Sequence, residues 1–199
     1  MTVGLALLVA YLVGAVPVGF MVARAVGVGD IRRQGSGNIG ATNVLRSAGR
    51  AAALVTLAGD IVKGWSAVAL GALLAPQAAA ACAVAAVVGN CWSVFLWFRG
   101  GKGVATGLGA FLYLVPWAVL PAVPVWLVVT MTFRYVSLGS LLAAACVPLG
   151  SIVLGYPRAT VVATGVVAAI VVARHRENIA RLFAGTERRL GEQRSREAA

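Results

Sequence analysis

Three long apolar runs, Val3 to Val26, Ala51 to Leu74 and Ala78 to Phe98, limit what this chain can fold into. Each is close to the roughly 20 residues a helix needs to cross a bilayer. The run from Gly103 to Phe133 would be about 46 Å long as one helix, too long for a single span, and Pro116, Pro121 and Pro124 interrupt it. It reads as two short crossings. Tyr135 to Leu154 and Thr160 to Ala173 bring the total to about seven. Composition agrees: 60% of the 199 residues are hydrophobic and 12% charged, more apolar surface than a water-soluble domain of this size could hide in one core. The predicted fold is all-α, a polytopic helical membrane protein.

Charge orients the helices. The net charge is +11, but the 17 basic residues fall in short connections and at the C-terminal end, with no separate basic domain. A nucleic-acid partner is therefore not expected, and positive-inside topology explains the excess. On a seven-span path Arg24, Arg32, Arg33, Arg46, Arg50, Arg99, Lys102 and Arg134 face the cytoplasm, and the other side keeps little beyond Arg158. The N-terminus is then outside and the C-terminus cytoplasmic, whereas six spans would leave the basic tail outside. Residues 1–182 read as one integral-membrane domain. Residues 183–199 read as a charged cytoplasmic tail, solvated as a helix or disordered from about Arg181. Met1-Thr2-Val3-Gly4 enters an apolar stretch without the basic start of a cleavable leader, so the first span is expected to be retained. Cys82, Cys91 and Cys146 lie inside apolar runs without metal or disulfide spacing and read as packing residues.

Three polar patches fall on the predicted cytoplasmic face. The first is the connection from Gly27 to Arg50, containing GSGNIGATNVLR from Gly35. Gly35, Gly37 and Gly40 permit positive-φ turns that let successive backbone N–H groups point at one anion. Ser36, Asn38, Thr42 and Asn43 add polar groups, and Arg46 a bidentate fork for phosphate oxygens. The second patch, FRGGKGVAT from Phe98, sets Gly100, Gly101 and Gly103 around Lys102 just before an apolar helix, whose N-terminus favours anions. It is not a nucleotide-binding P-loop, because Gly103 follows the lysine where that motif needs Ser or Thr. The third patch is Arg174-His175-Arg176-Glu177-Asn178, with the single histidine of the chain. Taken alone, each patch also fits a bland account: a flexible loop, a turn with snorkelling cations, a structural interfacial histidine. Asp60 and Lys63, at i and i+3, fit either an intrahelical ion pair or an intramembrane functional site. In the RYVSLGS run from Arg134 the serines could bond backbone carbonyls or donate to a ligand.

Taken in order, GSGNIGATNVLR, the DIVKG run from Asp60, FRGGKGVATG, RYVSLGS and HRENI resemble the PlsY-type bacterial acyl-phosphate:glycerol-3-phosphate acyltransferases from Gly14 to about Leu182. The resemblance implies transfer of a fatty acyl group from acyl phosphate to the 1-hydroxyl of glycerol 3-phosphate, giving lysophosphatidate and phosphate. It implies a multi-pass protein of the bacterial cytoplasmic membrane whose active face is cytoplasmic, with membrane lipid as its surroundings. The candidate catalytic residues are Ser36, His175 and Asn178. Gly35, Gly37, Asn38, Asn43, Arg46, Gly100, Gly101, Lys102, Gly103, Thr106 and Ser140 are candidate substrate-binding residues. Asp60, Lys63 and Glu177 are given structural roles, Glu177 holding Arg176 or the last helix end. One departure is Asn90, which stands where the family commonly has histidine and cannot carry a proton at neutral pH.

An acyl phosphate is already activated, so positioning and charge stabilisation suffice, with no covalent acyl-enzyme. No metal or other cofactor is expected, because no carboxylate or histidine cluster suggests one. His175, Asp60 and a phosphate oxygen of the donor are candidates for accepting the hydroxyl proton, and the resemblance favours the phosphate. Two competing readings are a membrane transporter or binding protein for a phosphorylated solute and a catalytically inactive paralogue. Transport sites usually lie near the midplane between repeated halves. Here the polar patches gather at one face and no repeat is visible.

Overall fold

A computed structural model describes residues 2–192 of the chain. Its helices are α1 (Thr2–Ala15), α2 (Val18–Ala25), α3 (Ala41–Leu74), α4 (Ala79–Cys91), α5 (Val104–Leu114), α6 (Pro116–Val119), α7 (Ala122–Phe133), α8 (Val136–Val153), α9 (Arg158–Arg174) and α10 (Arg176–Phe183), and no strand occurs among the described residues. Pro17 breaks the first apolar run between α1 and α2 because it has no N–H to continue the ladder, yet the pair still makes one segment long enough to cross a membrane. Four more segments pass the same test: Ala41–Leu74, Pro76–Leu96, Pro116–Phe133 and Val136–Val153. A sixth is α9 with α10, bent by 60° where they meet at His175. The seventh expected crossing falls on α5, which has 11 residues and is about 16 Å long, half a hydrocarbon core.

That half-length helix is held mainly by glycine. An ideal Cβ on Gly109 would overlap the Ile61 carbonyl, and one on Gly64 the Thr106 carbonyl, so α3 and α5 touch backbone to backbone. Close approach through small residues is how helices associate where lipid removes any hydrophobic drive. On its other side α5 joins an apolar core of Val68, Val87, Phe111, Val115, Val119, Val147, Val167 and Val171. A second, alanine-rich cluster of Ala6, Ala10, Ala67 and Ala86 packs α1 against α3 and α4. Around this interior the large apolar side chains turn outward, among them Leu73, Trp117 and Val153. Such a girdle suits lipid rather than water.

Two local features differ from the sequence expectation. The connection before α3 ends at Gly40, not Arg50, so Ala41 to Ala48 are helical and Arg46 stands on a helix. Gly49, at φ 86°, kinks this extension against the rest of α3. At the other end of the chain, residues 184–192 are mostly exposed, but Glu187 and Leu190 turn back onto the bundle. The Leu190 N–H donates to the Arg134 carbonyl at 2.6 Å, and the Arg134 guanidinium donates to the Leu190 carbonyl at 2.7 and 3.1 Å. Residues 193–199 of the expected tail lie outside the described residues.

Candidate active site

A cavity of about 920 Å³ opens where the three polar patches meet. Ser36 from the first connection, Arg46 from α3, Lys102 and the first turn of α5, Ser140 of α8, and His175 and Asn178 at the bend between α9 and α10 all line it. Beyond them it continues between apolar walls that include Phe111, Val123, Trp126, Ala143, Val147 and Val167. Gly35, Asn38, Asn43, Gly101, Gly103 and Thr106 also line this cavity. Gly37 and Gly100 do not. They face a separate basic cleft of about 500 Å³ with Asp30, Arg32, Arg33, Arg99 and Arg174.

The glycine loops do not offer the row of free N–H groups that their sequence suggests. In the first, the Ser36 N–H donates to Asn43 Oδ1 at 2.9 Å, the Gly37 N–H to the Gln34 carbonyl at 2.9 Å, and the Gly40 N–H to Asn38 Oδ1 at 2.8 Å. Asn43, expected to meet substrate, has its amide committed to the loop, because Nδ2 also donates to the carbonyls of Gln34 and Asn38 at 3.0 and 2.8 Å. In the second loop the Gly100 and Gly101 N–H groups cap the end of α4, donating to Cys91 and Asn90 carbonyls at 3.2 and 2.9 Å. Their own carbonyls accept from the Arg174 guanidinium at 3.2 and 3.1 Å. Internal pairing satisfies these groups because a backbone donor left unpaired is costly. What remains for an anion is the cationic side chains lining the cavity, Arg46 and Lys102 with Arg50, Arg181 and Arg188, and two helix N-terminal turns, that of α3 after Gly40 and that of α5, where Gly103 adopts the left-handed conformation before Val104.

Lys102 and His175 are electrostatically coupled. Burial pulls the Lys102 amine down to about 8, and the Glu187 carboxylate opposes that shift. Its Nζ donates to Asn178 Oδ1. Burial, with the Lys102 charge second, lowers the His175 imidazole to about 4, so the ring is neutral at physiological pH. His175 Nδ1 lies 2.8 Å from the Val171 carbonyl. A carbonyl only accepts, so Nδ1 carries the proton and Nε2 keeps a free lone pair.

The residues assigned structural roles divide. Asp60 and Lys63 form the intrahelical ion pair at 2.7 Å, both buried. Lys63 Nζ further donates to the Val16 carbonyl at 2.7 Å and to Asn90 Oδ1 at 2.9 Å. Asn90 thus accepts from a buried lysine through its side chain and holds Gly101 through its carbonyl. Asp60 also lines the cavity. Ser140 takes the bland option, its hydroxyl donating to the Val136 carbonyl at 2.8 Å and accepting from Trp126 Nε1 at 3.3 Å. Thr106 Oγ1 is buried and has no hydrogen-bond partner among the described residues. Glu177 is exposed in the first turn of α10, where its charge suits the helix dipole. It makes no ion pair with Arg176 among the described residues.

Sequence reasoning missed Glu187. Its side chain is 7% exposed and pairs with Arg181 Nε at 2.7 Å, within the cavity lining. A signal exists in Phe183-Ala184-Gly185-Thr186: Gly185, at φ 69°, ends α10 with the Gly185 N–H donating to Leu182 and the Thr186 N–H to Arg181. This double bond pattern turns the chain back on its helix, and Glu187 follows directly. Among the described residues no three His, Cys, Asp or Glu side chains gather closely enough to hold a metal ion.

Residues 4–185 match the family model for glycerol-3-phosphate acyltransferase. A glycerol-3-phosphate acyltransferase of Rubrobacter xylanophilus is 47% identical over 189 residues, covering 94% of each chain. Glycerol-3-phosphate acyltransferase 2 of Moorella thermoacetica is 50% identical over 189 residues, covering 94% of this chain and 97% of its own. Among solved structures, the crystal structure of PlsY, an integral membrane glycerol 3-phosphate acyltransferase, in its glycerol 3-phosphate form has a TM-score of 0.91 at 36% identity, covering 96% of each chain. Its lysophosphatidic acid form has a TM-score of 0.89 at 35% identity.

Proposed function

This chain belongs to the glycerol-3-phosphate acyltransferase family, and on that premise we propose that it moves a fatty acyl group from acyl phosphate to the 1-hydroxyl of glycerol 3-phosphate, at the cytoplasmic face of the bacterial inner membrane. The products are lysophosphatidate and inorganic phosphate, which makes the chain an enzyme of phospholipid synthesis. One observation carries this reading: a single cavity is cationic where Arg46 and Lys102 line it and apolar where it runs between α5, α7, α8 and α9. A phosphorylated acceptor suits the first part and an acyl chain the second.

In this reading Arg46 and Lys102 hold the phosphate groups, with Ser36 and Asn178 beside them. The 1-hydroxyl of glycerol 3-phosphate turns its proton toward a phosphate oxygen of the donor, and the neighbouring 2-hydroxyl donates to His175 Nε2, which orients the 1-hydroxyl oxygen toward the acyl carbonyl carbon. As the new C–O bond forms, negative charge develops on the carbonyl oxygen, and Lys102 with the N-terminal turn of α5 offsets it. The bond from acyl carbon to phosphate oxygen then breaks and phosphate leaves. A phosphate oxygen of the donor takes the hydroxyl proton. The phosphate gains basicity as its bond to the acyl carbon breaks, whereas the His175 imidazole, at about 4, is a weak base throughout.

Asn90 is compatible with activity because it supports the second glycine loop and caps Lys63, neither of which requires a proton carrier. Purified protein given glycerol 3-phosphate with either a long-chain acyl phosphate or the matching acyl-CoA tests the reading. Acyl phosphate is expected to yield lysophosphatidate and phosphate in equal amounts, and acyl-CoA to yield neither. Acylation from acyl-CoA at a comparable rate, or from neither donor, would overturn it.

A further inference from the structure

Glu187 lies beyond the motifs that carry the family resemblance, in a segment whose neighbours Thr186 and Arg188 are exposed, yet its carboxylate enters the cavity and takes three donors. Ser137 Oγ donates to Oε1 at 2.7 Å, Asn178 Nδ2 to the same oxygen at 2.6 Å, and Arg181 Nε to Oε2 at 2.7 Å. Asn178 is thereby held at both ends of its amide, nitrogen to Glu187 and oxygen to Lys102 Nζ. A flip of this amide would set its oxygen against the Glu187 carboxylate and its NH2 against the Lys102 ammonium, acceptor on acceptor and donor on donor, so its orientation is fixed. Resting on the function proposed above, we infer that Glu187 is a positioning residue: through the Asn178 amide it fixes Lys102 over the cavity as the cation that meets the phosphate of glycerol 3-phosphate.

The Schellman turn on Gly185 and the Arg134–Leu190 bonds supply the rigidity this role needs, since they fix the backbone on both sides of Glu187. Burial pushes the carboxyl up, but the bonds from Asn178, Ser137 and Arg181 outweigh it and keep the group below the usual carboxylate range. It therefore stays charged at neutral pH. The other charged or titratable groups that line the cavity or act on Lys102 are Arg46, Arg50 and Asp60 on α3, the last paired with Lys63, Arg174 on α9, Glu177 and Arg181 on α10, Arg188, and the neutral His175. Cations outnumber anions in that set, so removing Glu187 leaves Lys102 without its strongest opposing charge.

Two measurements on the full chain test this. Glycerol 3-phosphate binding is followed by calorimetry from neutral pH to about pH 9 for wild type, Glu187→Gln and Glu187→Asp, and wild-type turnover is assayed separately with acyl phosphate. Wild-type binding should weaken above about 8, as Lys102 loses its proton. Glu187→Gln should bind roughly tenfold to a hundredfold more weakly at neutral pH, with its decline moved to lower pH, and Glu187→Asp should recover part of both. An unmoved pH decline in Glu187→Gln, with only a lower unfolding temperature, would reduce Glu187 to a pin for the terminal segment and overturn the inference. Wild-type protein that binds with the expected pH dependence but fails to turn over would sink the proposed reaction while leaving the Glu187 inference standing.

Discussion

His175 is the residue where sequence chemistry alone points to a general base and the structure argues for another use. A histidine at about 4, with its Nδ1 proton committed to Val171, is a hydrogen-bond acceptor of fixed orientation. A group that takes the proton must be unprotonated, so activity routed through His175 would persist above about 4 and fail only below it. Transfer to the donor phosphate would instead give an acid limb that belongs to the substrate and does not move when His175 is changed. Replacing His175 by Gln keeps an acceptor in place. It is expected to cost about tenfold or less in turnover and to leave the acid limb unmoved, while His175→Ala should cost roughly a hundredfold to a thousandfold. A shift of the acid limb in His175→Gln would assign the proton to the imidazole. At this scale much of the cavity was legible: Arg46, Lys102, His175 and Asn178 carry chemistry in their side chains, and their motifs are local. The fate of the glycine N–H groups was not, because which carbonyl claims an amide depends on where α4 ends and where Arg174 arrives. Gly100 and Gly101 read as an anion cradle in one dimension and as a helix cap in three.

Among the elements, α5 matters most for the site. Its first turn lines the cavity directly after Lys102, and the contact of Gly64 and Gly109 with opposing backbone keeps α5 pressed on α3. Gly109→Val would drive a side chain into the Ile61 carbonyl. It should destabilise the protein by about 1–3 kcal/mol or more, seen as a lower unfolding temperature in detergent, and weaken glycerol 3-phosphate binding at the same time. Loss of stability with unchanged binding would show that the cation's position does not depend on this packing. Hydropathy made the long helices legible, and Pro116, Pro121 and Pro124 divided the run from Gly103 to Phe133 into two short crossings, but nothing in the sequence told that the first piece would be only half the length of a span. The extension of α3 back to Ala41 was hidden for the opposite reason. Polar, glycine-containing sequence resembles a loop, and what makes it helical is packing of Val44 and Ala48 with Ile31 and Ile39. The terminal segment escaped a charge-based reading because one carboxylate among arginines looks like solvated tail until the Gly185 turn is recognised.

For the molecule as a whole, the account depends on three distant stretches of chain meeting at one end of a membrane bundle. Arg46 and Lys102 line the cavity, Arg24, Arg134 and Arg174 sit at the ends of α2, α7 and α9 that chain order puts on the same side, and Arg158 begins α9 from the other side. That distribution predicts a cytoplasmic cavity. It is tested most directly by single cysteines at Thr42, Ala105 and Arg188, all lining the cavity, in a chain whose Cys82, Cys91 and Cys146 are replaced by alanine. Labelled in sealed membrane vesicles of known sidedness, all three are expected to react with an impermeant thiol reagent from the cytoplasmic side only, and glycerol 3-phosphate should slow all three together. Reaction of any one of them from the opposite side, or protection of one without the others, would contradict a shared phosphate-binding cavity.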